Sequence, residues 1–245
     1  MKKLLLILII SFATQQFSQA QYRKQITYGF FGGANYSKMT NLQSVFIPNN
    51  IYSGFETNEE ATIGAMAGFF FNWKYEDQNV SLQPEIFYST QATNFNYNDI
   101  RGLKYTIGFK YNYVNVGLFF KYYPVDRLYI GVGPYVALNV TSDAIEYSSN
   151  GEQVAAETGL YFEPDIVQQK FLKESLQGKN YFQTLFGVGY EFDNGIVVGF
   201  KYHLGLSDAL ETKENGFRFI ENKNKTNAFS LSLGYSFDFD ALDDF

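Results

Sequence analysis

The run Phe229-Ser230-Leu231-Ser232-Leu233-Gly234-Tyr235-Ser236-Phe237-Asp238-Phe239 decides the reading of the whole chain. Every odd position carries a large apolar side chain and every even position a small or polar one. Successive side chains of a strand point to opposite faces, so this alternation describes a ribbon with one greasy and one hydrophilic side. On a helix the same residues would be scattered around the circumference.

Working outward, the pattern recurs in seven further segments between residues 26 and 206. In 63–75, Ile63, Ala65, Ala67, Phe69, Phe71, Trp73 and Tyr75 oppose Thr62, Gly64, Met66, Gly68, Phe70, Asn72 and Lys74. In 128–140, Leu128, Ile130, Val132, Pro134, Val136, Leu138 and Val140 share a parity, and in 196–206 Ile196, Val198, Phe200, Tyr202, Leu204 and Leu206 do. The other strands are expected near 26–38, 80–95, 111–123 and 181–193. All are about ten residues or longer, enough to cross a bilayer at the usual tilt. The chain holds 26 Phe, 20 Tyr and 21 Gly but one Trp, and its mean hydropathy is only -0.20. Aromatic wealth without net hydrophobicity is what two-faced strands produce. Pro84 and Pro134 fall on the apolar parity inside two strands, where a bulge is expected because proline interrupts the hydrogen-bond ladder.

The connections carry a second signal. Short links at 76–79, 124–126 and 193–195, the last with the hairpin pair Asn194-Gly195, alternate with long ones at 39–60, 96–110, 142–180 and 208–226. That alternation is the arrangement of a membrane barrel whose short turns face the periplasm. No water in hydrocarbon satisfies a free sheet edge, so the first and last strands must pair. The expectation is an all-β fold: an eight-stranded antiparallel up-and-down transmembrane β-barrel with long extracellular loops. Trp73, Tyr75, Tyr122, Phe192 and Phe237 on one side and Tyr36, Tyr88 and Tyr202 on the other would form interfacial girdles.

The first twenty residues have a different logic. Lys2 and Lys3, an apolar run from 4 to 13, and Ser18-Gln19-Ala20 give the charged, greasy and small-x-small regions of a signal peptide. Residues 1–20 are therefore expected to be removed and 21–245, beginning at Gln21, to form the barrel domain in the cell outer membrane. A charge of -6 gives no electrostatic footprint for nucleic acid. With no Cys and one His, a thiolate site, a lipoprotein anchor and a zinc ligand set lack their residues, and no cofactor is expected.

Two stretches resemble a known group. Gly29-Phe30-Phe31-Gly32-Gly33-Ala34-Asn35-Tyr36-Ser37, and Tyr113-Val114-Asn115-Val116-Gly117-Leu118-Phe119-Phe120-Lys121-Tyr122-Tyr123 leading to Leu128-Tyr129-Ile130-Gly131-Val132-Gly133-Pro134-Tyr135, resemble the PorT-type outer-membrane β-barrel family of Bacteroidota. The resemblance implies a small outer-membrane barrel; PorT itself is linked to the type IX secretion system, which implies a secretion or envelope partner. The last strand also resembles the signal read by the barrel-assembly machinery, with Gly234 followed by Phe237 and Phe239, although residues 240–245 extend past the aromatic.

Parity directs Glu85, Lys121, Glu191, Lys201, His203 and Asp238 inward. An eight-stranded bore is just filled by side chains, so these charges are expected to pair as a structural network rather than line a channel. The catalytic alternative is a lipid A hydrolase with a serine and a histidine. His203 and Ser207 share a face but stand four residues apart, roughly 13 Å along a strand, too far to hydrogen bond. In the third long loop, 164–177 reads as a short amphipathic helix with Ile166, Val167, Phe171, Leu172 and Leu176 on one side and Gly178 as a stop. The sequence thus points to a non-enzymatic barrel embedded in outer-membrane lipid, a structural or interaction module of the envelope; the alternatives are a small transporter or pore for apolar solutes and a lipid A-modifying enzyme.

Overall fold

The computed structural model describes residues 24–43, 54–75, 79–141, 144–213 and 224–239. The expected signal peptide at 1–20, the expected mature start at Gln21 and residues 240–245 lie outside the described residues. The elements are β1 (Lys24–Met39), β2 (Phe55–Tyr75), β3 (Val80–Asp99), β4 (Lys104–Val125), β5 (Leu128–Asn139), β6 (Ile145–Ser149), α1 (Gly151–Thr158), α2 (Asp165–Ser175), β7 (Leu176–Gly178), β8 (Tyr181–Glu191), β9 (Ile196–Gly205), β10 (Leu210–Thr212) and β11 (Thr226–Asp238).

Eight of these strands close a ring in the order β1-β2-β3-β4-β5-β8-β9-β11, all neighbours antiparallel. The first and last strands pair along thirteen positions, from Thr27↔Asp238 to Met39↔Thr226. Closure leaves no open edge in the lipid zone, where an unpaired peptide group costs several kcal/mol, on the order of the water-to-hydrocarbon transfer penalty. Among the described residues no helix is long and apolar enough to cross a membrane; the crossing is made by strands.

The outward parity is the greasy one. Phe69, Phe71 and Trp73 on β2, Leu118, Phe120 and Tyr122 on β4, and Leu231, Leu233 and Phe237 on β11 are exposed on the outer wall. Their sequence neighbours Phe70, Asn72, Phe119, Lys121 and Ser230 are buried in the bore. Trp73, Tyr122, Phe192 and Phe237 toward the short turns, and Tyr36 and Tyr88 toward the loops, all stand exposed as a girdle requires, while Tyr75 and Tyr202 are half-buried.

Two expectations are corrected. The ladder around Pro134 runs from Gly117↔Tyr135 to Phe120↔Val132 in one register, so the proline opens a gap rather than a bulge. The bulges sit elsewhere, between Ala61 and Met66 of β2 and between Tyr122 and Val125 of β4. The second upper connection is not a long loop: β3 and β4 pair continuously up to Asn98↔Lys104, leaving a tight turn at 100–103. The alternation fades there because Asn94, Asn96, Asn98, Thr106 and Lys110 replace apolar residues on the outer face. Hydrogen bonding between the strands does not depend on that change.

As a result β2, β3 and β4 rise past the barrel as a wall, and β6 joins its edge through Phe109↔Ile145 to Tyr105↔Ser149. The seven residues of β2 paired above the bulge, Phe55 to Ala61, reach roughly 20 Å at the usual rise per residue. Across the inner face of the wall a row of rings is stacked: Phe55 on Tyr97 at 5.7 Å, Tyr97 on Tyr105 at 4.5 Å and Tyr105 on Tyr147 at 5.7 Å. On the outer face Asn96 donates to Glu60 at 3.1 Å and accepts from Thr106 at 2.8 Å.

Candidate functional site

Two places hold the polar groups that a function could use, the bore and the extracellular loops. Both follow from the alternation of the strands that carry them.

On β3 the inward parity reads Ser81, Gln83, Glu85, Phe87, Ser89, Gln91 and Thr93, a nearly unbroken polar column inside the barrel. At its centre the Nζ of Lys201 lies 2.6 and 2.7 Å from the two carboxylate oxygens of Glu85. Tyr135 donates to the same carboxylate at 2.7 Å and Gln83 at 2.5 Å. The ammonium also stands over the rings of Phe119 at 4.6 Å and Phe31 at 5.5 Å. An ion pair removed from water is tolerated only when its remaining lone pairs and protons find partners. Here both oxygens of the carboxylate are engaged, and aromatic faces surround the cation.

A second pair lies nearer the short turns. Lys121 reaches Glu191 at 2.7 Å, Tyr123 donates to the same oxygen at 3.0 Å, and the Lys121 ammonium stands 4.1 Å over the Tyr129 ring. Below it the bore widens into a vestibule of about 720 Å³, lined by Asn72, Lys74, Arg127, Glu191, Asp193 and Asp238 among others. Asp238 is the site residue whose placement differs from expectation: it keeps the lumenal parity but sits exposed on this rim, away from Lys201 and Lys121. Strand length decides this, because β11 ends at Asp238.

His203 stands apart from both pairs. Its Nε2 and the hydroxyl of Ser230 on the adjacent strand are 2.9 Å apart, with the two residues only 2% and 3% exposed. Ser207 is elsewhere, accepting from the Phe182 amide at 2.9 Å. The serine near the histidine was hidden from sequence reasoning because it comes from cross-strand register, His203 lying opposite Ala228 and Lys201 opposite Ser230. Tyr135, Gln83, Asn115 and Gln183, the last two joined at 2.7 Å, were missed for the same reason. The even spacing of inward polar residues along β3 was a sequence signal that could have pointed to Gln83.

Between these polar layers the bore is solid. Phe31, Met66, Phe70, Phe87, Phe119, Tyr129, Tyr135 and Leu185 pack around the ion pairs. Toward the loops a second core gathers Phe109, Tyr111, Tyr113, Ala137 and Tyr181 with Leu172, Leu176 and Leu210 from the loops themselves. Short β7 and β10 pair to join the third and fourth loops over the mouth. Asn224 holds β10 in place, its side chain accepting from the Ala209 and Leu210 amides at 3.1 and 2.8 Å.

The expected helix at 164–177 is α2, shorter by a turn because Leu176–Gly178 becomes β7. Its apolar residues do not share one fate. Leu172 is buried in the upper core and Phe171 is half-buried, whereas Ile166 and Val167 face solvent. The polar side does the docking: Asp165 accepts from the Ser149 amide at 2.8 Å and Gln169 from the Tyr147 amide at 3.1 Å. Two side chains one helical turn apart thus satisfy alternate amides along the outer edge of β6, which an exposed strand would otherwise offer to another chain.

The assembly-signal residues occupy the last strand as its parity requires. Gly234 is buried where an added Cβ would press on the Phe30 carbonyl at 2.7 Å, and Tyr28 stacks on Phe237 at 5.4 Å with Phe239 at its edge, 6.2 Å away. Among the described residues no group of three or more His, Cys, Asp or Glu is placed to hold a metal ion.

A closed antiparallel ring with an aromatic outer wall and a polar, filled interior defines an integral outer-membrane β-barrel. The chain belongs to the outer membrane protein beta-barrel domain family, whose model matches residues 16–211. No curated protein matches it. Among solved structures it is similar to Neisserial surface protein A, at 9% identity and a TM-score of 0.42 over 86% of this chain and 97% of that one. Others are OprG from Pseudomonas aeruginosa, at 12%, 0.41, 87% and 95%, and the outer membrane protease OmpT from Escherichia coli, at 10%, 0.30, 91% and 99%.

Proposed function

We propose that this barrel is a sealed, non-catalytic membrane anchor that presents an extracellular interaction module, formed by the β2–β3–β4–β6 wall and the helices of the third loop. The observation that carries the reading is the filled bore: the Glu85–Lys201 pair is enclosed by Phe31, Phe87, Phe119, Tyr135 and Leu185, and a second core closes the loop end. Such a bore serves stability rather than passage. The His203–Ser230 pair lies in the same packed interior, and neither side chain lines the vestibule or the lipid-side groove, which favours a structural role over hydrolysis. The working surface is then the part that stands in water. A secretion or envelope complex is a natural setting for such a module, and cleavage after Ala20 with insertion by the barrel-assembly machinery is its route there.

A second reading, a conduit for apolar solutes, is favoured by one observation. An apolar groove of about 740 Å³ runs along the lipid side of the barrel between Leu82, Phe120, Tyr122, Ile130, Val132 and Phe186. Planar-bilayer recordings and uptake of an alkane probe into proteoliposomes separate the two. The anchor reading expects neither conductance steps nor uptake above protein-free vesicles; reproducible steps or saturable uptake would sink it. Unaltered lipid A mass spectra on overexpression are the matching expectation for a non-enzyme.

A further inference from the structure

Register makes the outer face of the wall a single surface. In its topmost row Glu56 lies opposite Asn98 and Asn98 opposite Lys104. The next row toward the membrane holds Asn58, Asn96, Thr106 and Ser148, and the one below it Glu60, Asn94, Gly108 and Glu146, each residue the cross-strand partner of its neighbour. Bonds from Asn96 to Glu60 at 3.1 Å and from Thr106 to Asn96 at 2.8 Å tie the rows together on one side of the sheet. Gly108 leaves a notch there, because a Cβ added to it would meet nothing nearer than Asn94 Oδ1 at 3.5 Å.

Apart from that glycine, every position in the three rows is an amide, a hydroxyl or a charge. The charges are mixed, Glu56, Glu60 and Glu146 against Lys104, with Lys110 one row lower beside Ala92. Protein partners are held mainly by aromatic and apolar anchors, and this face offers none. Closely spaced amides, hydroxyls and charges of both signs instead suit a ligand whose own groups both donate and accept, as hydroxyls do.

Position names the source of those hydroxyls. The face continues the lipid wall upward: on β3 Ile86 and Tyr88 meet lipid, Thr90 donates to Asn112 at 2.8 Å where polarity begins, and Asn94 follows six residues beyond Tyr88. Six residues are roughly 20 Å along a strand and, at the tilt of barrel strands, roughly 15 Å above the girdle. Phospholipid headgroups add only about 5–7 Å per leaflet. A lipid that reaches from the wall's foot to Asn94 and Asn98 therefore carries a taller headgroup.

We propose that the outer face of the β2–β3–β4–β6 wall binds the sugar headgroup of an outer-leaflet glycolipid. Asn94, Asn96 and Asn98 bond its hydroxyls, and Gly108 leaves room for a sugar ring beside Glu146. The inference rests on the interaction-module reading and names what this part of the module meets.

The test places the full chain in nanodiscs of zwitterionic phospholipid doped with lipopolysaccharide that carries its core sugars, or with lipid A stripped of them. Lipid that stays on the barrel after extraction is counted by native mass spectrometry. Retention of the sugar-bearing lipid is expected to exceed that of lipid A by about tenfold, the worth of one or two net hydrogen bonds. An Asn94→Ala, Asn96→Ala, Asn98→Ala variant should lose that preference. Gly108→Phe, which fills the notch without removing a side-chain hydrogen bond, should reduce it several-fold, and lipid A retention should change in neither. Retained gel heat-modifiability shows that the variants are folded. Equal retention of the two lipids, or an undiminished preference in folded Gly108→Phe, overturns the proposal. So does displacement of the whole lipid by an equal concentration of free core oligosaccharide, because the occupant is then a soluble glycan, and so does self-association that Gly108→Phe abolishes, because the face then belongs to a second copy. Channel steps in a bilayer would instead sink the underlying reading, so the two failures are distinguishable.

Discussion

The same three strands run through two solvents. Within the bilayer β3 shows lipid Ile86 and Tyr88; above it the same parity shows water Asn94, Asn96 and Asn98. Its inward parity passes both zones unchanged, from Ser81 to Asp99. β2 makes the transition differently, through the bulge between Ala61 and Met66, so that odd residues face lipid below and the inner face of the wall above. The comparison teaches that strand pairing is indifferent to the surroundings, while side chains on the outer face mark where the membrane ends. It also divides the labour. The lower region is sealed by paired charges among aromatics, and the upper one carries the exposed wall and the third loop.

The largest expected effect comes from breaking the seal. Lys201→Met leaves Glu85 buried without its cation and should cost about 3–5 kcal/mol. Adding Glu85→Leu should restore much of that, and denaturant titration of the folded protein followed by Trp73 fluorescence measures both. Additive losses in the double variant would show that the two side chains do not act as a pair.

Next in size is a charge placed on the lipid wall. Phe69→Arg, midway along the apolar part of β2, should destabilise by about 2–4 kcal/mol, whereas Asn96→Arg on the outer face of the wall should stay within about 0.5 kcal/mol. If the two cost the same in a bilayer-refolding titration, the water line has been drawn in the wrong place.

Smaller again is Ser230→Ala, which leaves His203 Nε2 buried without its hydroxyl and is expected to cost about 1–3 kcal/mol. The smallest effect belongs to the edge of β6. Asp165→Ala with Gln169→Ala should leave the unfolding midpoint nearly unchanged while amide exchange at Ser149 and Tyr147 quickens, because only local pairing is lost. Unchanged protection at those amides would mean that the strand edge does not need its helix.

Much of the barrel was legible before any coordinates. All eight ring strands sit where alternation placed them, since a strand buried on one side must repeat its chemistry every second residue. The upper parts of β2, β3 and β4, with β6, were not legible, because once both faces meet water or half-buried rings the contrast between parities fades. Within the candidate site, parity sent Glu85, Lys121, Glu191, Lys201 and His203 inward, yet it carried no information about which would meet.

By itself, then, the order of residues settled which faces are greasy, how many times the chain crosses, and that the ring closes. Those properties depend on near neighbours along a strand and on the cost of bare peptide groups in lipid. Only the tertiary structure decided that Lys201 meets Glu85, that Ser230 meets His203, and that Asp238 stays on the rim. Those meetings are set by register between strands far apart in the chain, where sliding by one residue would exchange every inward side chain for an outward one.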